Sequence, residues 1–116
     1  MKWVDLYTYK ATVTKVYDGD TITVDIDLGF GVVMKGQSIR LLGIDAPELR
    51  GEERQDGLAS RSFVADRLPI GSVILMKTVK DRKEKYGRYL ATIYYGDNLV
   101  NLNEEIIANG YARLYE

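Results

Sequence analysis

Asp18-Gly19-Asp20-Thr21-Ile22-Thr23-Val24-Asp25-Ile26-Asp27-Leu28 is the stretch on which the fold turns. From Thr21 onward it alternates: Ile22, Val24, Ile26 and Leu28 fall on one face, Thr21, Thr23, Asp25 and Asp27 on the other. That period of two belongs to a half-buried antiparallel strand. Asp-Gly ahead of it is a strong hairpin signal. The Thr-, Val- and Tyr-rich run Tyr9 to Tyr17 therefore reads as its partner. Downstream, Gly29-Phe30-Gly31 reads as the next turn and Val32 to Lys35 as a short continuation before Gly36. Ile39 to Ile44 is a third long strand, stopped by Pro47, which has a fixed φ and no N–H.

Beyond it the pattern changes. Leu49 to Gly57 is polar and reads as an exposed loop. Leu58 to Leu68 reads as a helix, with Leu58, Val64, Ala65 and Leu68 within about a third of the helical circle; Phe63 falls off that stripe. Pro69 and Gly71 stop it. Ser72 to Lys80 and Arg88 to Tyr95 are two more strands, joined by a charged loop from Asp81 to Gly87, and Gly96-Asp97 is a turn. Asn101 with Glu104 three residues on forms a capping box for a short helix ending at Gly110. Five strands with a helix after the third is the pattern of an OB-type barrel. The expected fold is mainly β (α+β), a five-stranded barrel with two or three short helices, as one domain over residues 1–116.

Composition narrows the chemistry. Cysteine and histidine are both absent from the 116 residues, so a zinc site is excluded in practice. Any metal is a hard cation on oxygen ligands, namely Ca²⁺, Mg²⁺ or Mn²⁺. A general base has to be Glu, Asp, Lys or Tyr. No apolar run approaches the ~20 residues of a membrane span. The first ten residues lack the apolar core of a signal peptide. This fits a secreted protein whose leader has been removed, or a cytoplasmic one. The net charge is −1, but Lys77 to Arg88 carries six basic residues against two acidic ones, and Asp18 to Asp56 is rich in acids. An acidic site filled by a cation beside a basic segment could accept a polyanion.

Three groups carry candidate chemistry. Asp20 is an ordinary hairpin residue unless it points toward Asp45; antiparallel pairing makes that plausible, and two carboxylates with a carbonyl and waters suit Ca²⁺. Arg40 is either a surface charge flanking a strand or a fork for a phosphate, and Arg88 offers a second fork. Two guanidinium groups and a cation around one phosphoryl centre are the clamp phosphoryl transfer needs. Glu48, on the loop after Pro47, is either a solvated loop acid or the base that activates water. Lys85 and Tyr86 could hold a neighbouring phosphate and stack on a base.

Asp18-Gly19-Asp20-Thr21, Arg40-Leu41-Leu42-Gly43-Ile44-Asp45-Ala46-Pro47-Glu48 and Lys85-Tyr86-Gly87-Arg88-Tyr89-Leu90-Ala91 together resemble, in order and spacing, the motifs of the staphylococcal nuclease (thermonuclease) family. A weaker match runs from Leu99-Val100-Asn101 to Asn109-Gly110-Tyr111-Ala112, so the resemblance covers about Tyr9 to Tyr115. It implies a Ca²⁺-dependent OB-fold nuclease hydrolysing DNA and RNA with low sequence specificity. Cleavage of the bond to the 5′ oxygen would leave 3′-phosphate ends. Carried over by position, Asp20 and Asp45 would ligate Ca²⁺ by side chain and Ala46 by its carbonyl, with Asp18 behind them. Arg40 and Arg88 would bind the scissile phosphate, Glu48 would act on water, and Lys85 and Tyr86 would face the next nucleotide. The implied partners are single-stranded or frayed DNA and RNA, met by a monomer without a membrane.

The chain departs from the family pattern in places. Ala46 stands where the best-known member has Thr, and Glu84 where an Asp is usual. The hairpin from Leu28 to Ser38 is longer and the loop from Leu49 to Gly57 shorter. The chain ends at Glu116, before the C-terminal helix and the pair of nucleotide-stacking tyrosines that the best-known member carries, for which Tyr115 is the expected partial stand-in. The rival reading is a catalytically silent nuclease-like barrel that binds nucleic acid or protein; such modules typically lack the arginines and carboxylates present here. A plain oligonucleotide-binding barrel leaves the carboxylates unexplained.

Overall fold

The computed structural model describes residues 6–115. The alternation at Thr21 to Leu28 becomes β2 (Thr21–Gly29), paired antiparallel with β1 (Thr8–Val16) and with β3 (Val32–Leu41). β5 (Val73–Lys83) adds to the other side of β1, and β6 (Tyr89–Tyr95) pairs with β5. The parallel match of Ile39, Arg40 and Leu41 with Tyr89, Leu90 and Ala91 closes β3 onto β6. Five strands thus make the closed barrel expected of an OB-type chain. β4 (Ile44–Asp45), the two-residue strand after β3, pairs outside the barrel with β8 (Arg113–Leu114), while β7 (Val100–Asn101) extends β6.

Inward-facing Val13, Ile22, Val24, Ile39, Ile74, Met76 and Ile93 are fully buried, each such side chain stabilising the fold by roughly 2 kcal/mol. Leu28 is the exception on its face, 38% exposed near the hairpin tip. Val32 to Lys35 does not end before Gly36 as expected. The strand runs through it as a bulge, Gly36 taking φ +66° and donating its N–H to Asp25 Oδ1 at 2.9 Å. The third strand also ends earlier than Ile44, because Gly43 (φ +80°) turns the chain.

Helix α1 spans Arg54–Arg67, behind a 3₁₀ turn at Gly51–Glu53, so most of the expected Leu49–Gly57 loop is helical. Its buried face is Gly57, Ser60, Phe63 and Val64, continued by Leu68, whereas Ala65 is exposed. Phe63, which the stripe left out, lies under Tyr111 (ring centroids 4.6 Å apart) and under the Arg67 guanidinium at 3.5 Å. Two glycines let this helix close on the site. A Cβ on Gly57 would stand 2.1 Å from the Glu48 carbonyl, and one on Gly19 would stand 1.8 Å from Ser60 Oγ. α2 (Leu102–Ala108) is capped as expected on its N-terminal side, Asn101 Oδ1 accepting from the Glu104 N–H at 3.0 Å. Among the described residues no helix is long and apolar enough to cross a membrane.

Candidate active site

Register builds the site. Thr21 lies opposite Arg40 on the antiparallel β2–β3 ladder, which sets Arg40 beside the residue before Thr21. That residue, Asp20, is 7% exposed, and its backbone carbonyl accepts from Leu41 N at 2.8 Å. Its Oδ2 lies 2.9 Å from Arg40 Nη1 and accepts from Ala46 N at 2.9 Å. Its Oδ1 accepts from Thr21 Oγ1 at 3.0 Å. Arg40 Nη2 lies 3.5 Å from Asp45 Oδ1, so one guanidinium bridges the two expected metal carboxylates. The contact of Arg40 Nη1 with Asp20 is an ion pair by distance but not an aligned hydrogen bond, and that buried nitrogen has no other acceptor among the described residues.

Asp18 accepts from Asp20 N at 3.0 Å. Burial, then the neighbouring Asp20 carboxyl, pushes Asp18 up to about 6. Glu48, at the exit of Pro47, is exposed and shares with Asp18, Tyr17, Leu49 and Arg50 an open depression of about 350 Å³. The carboxylate of Glu48 has no hydrogen bond or ion pair among the described residues; its N–H donates to Glu53 Oε1 at 3.2 Å. On the other side, Asp45, Ala46 and Pro47 wall a second depression of about 240 Å³ with Glu53, Tyr111 and Arg113.

The β5–β6 turn supplies the other arginine. Arg88 Nη1 donates to Thr21 Oγ1 at 3.3 Å, which connects it to Asp20 through one hydroxyl. Its Nε and Nη2 hold Glu84 Oε1 and Oε2, each at 3.2 Å. Glu84 also accepts from the Arg88 and Tyr86 N–H groups, at 2.9 and 3.0 Å. The bond to Arg88 draws the Glu84 carboxyl below its ordinary value, and the same bond raises Arg88. Tyr86 is 71% exposed, its ring 5.1 Å from Lys85 Nζ and 5.6 Å from the Arg88 guanidinium.

The fold therefore gathers Asp20, Arg40, Asp45 and Ala46 in direct contact and brings Arg88 against the same hydroxyl. Glu48 stands at the rim, and Lys85 and Tyr86 on the turn beyond. Three residues escaped the sequence reading. Glu84 ties down Arg88, a pairing that the i, i+4 spacing of opposite charges could have signalled. Asn103, 6% exposed, donates to the carbonyls of Leu42 and Ala91 at 2.9 and 3.1 Å and accepts from Ile93 N at 3.0 Å, pinning the point where β3 leaves β6. Arg113 donates to Asp45 Oδ2 through Nη2 and Nε at 3.1 and 3.3 Å.

A model of the staphylococcal nuclease homologue family matches residues 38–116, about two-thirds of the chain. The chain belongs to that family. It is 34% identical to an uncharacterised protein of Methanocaldococcus jannaschii, over 92% of this chain and 59% of that protein. It is 33% identical to the thermonuclease of Staphylococcus hyicus, over 91% of this chain and 58% of the thermonuclease. It is also 30% identical to an endonuclease of Bacillus subtilis, over 92% of this chain but 9% of that enzyme. The chain thus spans at most about three-fifths of the length of these relatives.

The oxygen-only donor set tests what cation the site could take. Among the described residues no three carboxylates gather at one point. Asp20 and Asp45 each contact the Arg40 guanidinium, and the Ala46 N–H donates to Asp20. Two carboxylates completed by carbonyl and water oxygens fit a hard cation of high coordination number, Ca²⁺ foremost.

Proposed function

We propose that this domain hydrolyses phosphodiester bonds of single-stranded or frayed DNA and RNA with low sequence specificity, using Ca²⁺ and leaving 3′-phosphate ends. The observation that carries the reading is the linked set Arg40–Asp20–Thr21–Arg88, two guanidinium groups joined through one carboxylate and one hydroxyl. In this reading the Asp20 and Asp45 side chains and the Ala46 carbonyl would hold Ca²⁺, which would supply Lewis-acid stabilisation of charge on a phosphoryl oxygen. Arg40 and Arg88 clamp the scissile phosphate. Glu48 accepts the proton of the attacking water at the rim, where its carboxylate is free of protein partners among the described residues. Lys85 and Tyr86 take the adjoining nucleotide by charge and stacking.

A second reading, a silent module that binds nucleic acid or protein, is favoured by one observation. Arg40, Arg88 and Arg113 are each already paired with a carboxylate. Incubation with single-stranded DNA separates the two. Ca²⁺-dependent cleavage with 3′-phosphate products supports the nuclease, whereas tight binding without cleavage supports the module.

A further inference from the structure

A cleft of about 290 Å³ opens between the β2–β3 hairpin and the β5–β6 hairpin, and the site above makes no use of it. Ile26, Leu28 and Met34 form its apolar wall, and Tyr9 and Tyr89 its aromatic one. Asp81 is the charged group in it. The backbone goes out of its way to put Asp81 there. Lys80 and Asp81 both sit in the left-handed region (φ +52° and +56°), and the β5–β6 register breaks between Thr78 and Lys83. Two successive non-glycine residues in that region are uncommon, and such strain collects at functional sites.

Asp81 is held rigidly. Its Oδ2 accepts from the Tyr9 hydroxyl and its Oδ1 from Thr78 Oγ1, both at 2.5 Å, and its own N–H donates to Thr78 Oγ1 at 2.8 Å. The bond to Asp81 is the chief cause that pushes Tyr9 up to about 12, so the phenol keeps its proton and remains the donor. Each carboxylate oxygen has two lone-pair sites and spends one on a hydroxyl. Each oxygen therefore keeps one acceptor site beyond its hydroxyl partner, on the charged group of an apolar and aromatic cleft. The rim is cationic, with Lys83 Nζ 5.3 Å from the Tyr89 ring centroid. Tyr89 directly follows Arg88 in the chain, so one wall of the cleft stands next to the turn that carries Arg88.

A ligand for this slot needs planar faces and two adjacent N–H donors on one edge, with a phosphate nearby. We propose that the cleft is a base subsite that takes one unpaired guanine of a bound strand. The N1–H and N2–H groups would meet Asp81, and the ring would lie against Tyr9 and Tyr89. Uracil and thymine would turn carbonyl oxygens toward the carboxylate, and adenine and cytosine set an acceptor beside their amino group. The inference deepens the nuclease reading, since it supplies a flanking-base preference to an otherwise unselective site.

The test is titration of the protein with 5′-GMP and with 5′-UMP, followed by calorimetry and by tyrosine fluorescence, in the wild type and in Asp81→Asn. The two nucleotides share their phosphate and differ in the base, so their ratio reports the slot. Asparagine tolerates the left-handed backbone as aspartate does, and an unchanged unfolding temperature confirms the variant is folded. The expected result is roughly tenfold tighter binding of GMP, lost in Asp81→Asn. Equal affinities in the wild type, or a preference that survives in Asp81→Asn, overturn the proposal. Because the readout is binding, it is independent of turnover. A protein that cleaves DNA without preferring GMP refutes the slot alone, and one that prefers GMP but never cleaves refutes the nuclease alone.

Discussion

Arg40 and Arg88 reach the same corner of the molecule, but the fold holds them by opposite means. Arg40 stands within a barrel strand, its side chain 13% exposed, locked between Asp20 and Asp45. Arg88 stands on a turn, its side chain 26% exposed, held by Glu84 four residues away and by a single hydroxyl of the barrel. The strand-borne half of the site is thus part of the structure that it charges. The turn-borne half is attached to it. Removing a group from the first should damage stability and chemistry together, and removing one from the second should damage chemistry alone.

Arg40→Ala should have the largest effect. It leaves the buried Asp20 carboxylate without its counter-ion, which costs about 3 kcal/mol of folding stability. It also removes half of the phosphate clamp, so urea unfolding and turnover should both fall steeply. The Asp20 side chain is 9% exposed, which is what makes the loss structural as well as chemical. Arg88→Ala should cut turnover by roughly a thousandfold. Its unfolding free energy should change less than that of Arg40→Ala, because Glu84 keeps the Arg88 and Tyr86 backbone N–H groups as donors. Equal destabilisation by the two variants would erase the distinction between the halves.

What could be read from the sequence follows the same division. The β1–β2–β3 meander was legible because period-two alternation is a local signal. Asp20 could be placed toward Asp45 because antiparallel pairing follows from that alternation; that Arg40 lies between them was not read. The start of α1 was not legible. Gly51 to Asp56 offers no apolar stripe, and its position is decided by tertiary packing, in which Gly57 lets the helix approach the Glu48 carbonyl. Arg113 was invisible for a similar reason, since its contact with Asp45 depends on a two-residue pairing between β4 and β8. The cleft at Asp81 joins residues 72 positions apart, and no periodicity announces it.

Smaller effects sharpen the comparison. Glu84→Gln keeps the turn's hydrogen-bond shape but loses the charge that orients Arg88; kcat/KM should drop about tenfold with the barrel unchanged. Arg113 is a side chain 80% exposed on a carboxylate that the proposed cation needs. Arg113→Ala should therefore tighten Ca²⁺ binding about threefold by calorimetry, the scale of a surface ion pair. A last effect, on stability alone, concerns Asp18, whose folded value of about 6 lies above its ordinary 3.8. Between those values the folded chain keeps a proton that the unfolded chain has lost, so stability falls as pH rises through that window and stays lower above it. Asp18→Asn, compared with wild type in chelator, should be more stable by about 1 kcal/mol above pH ~7, discounted for the partial exposure of Asp18, and no more stable at pH ~4.

The most direct test of the central claim is cleavage of single-stranded DNA with Ca²⁺ and with chelator, by the wild type and by Arg88→Ala at matched unfolding temperature. The account predicts Ca²⁺-dependent hydrolysis that leaves 3′-phosphate ends and is lost in the folded variant. Hydrolysis that persists in chelator, or at wild-type rate in Arg88→Ala, would contradict it.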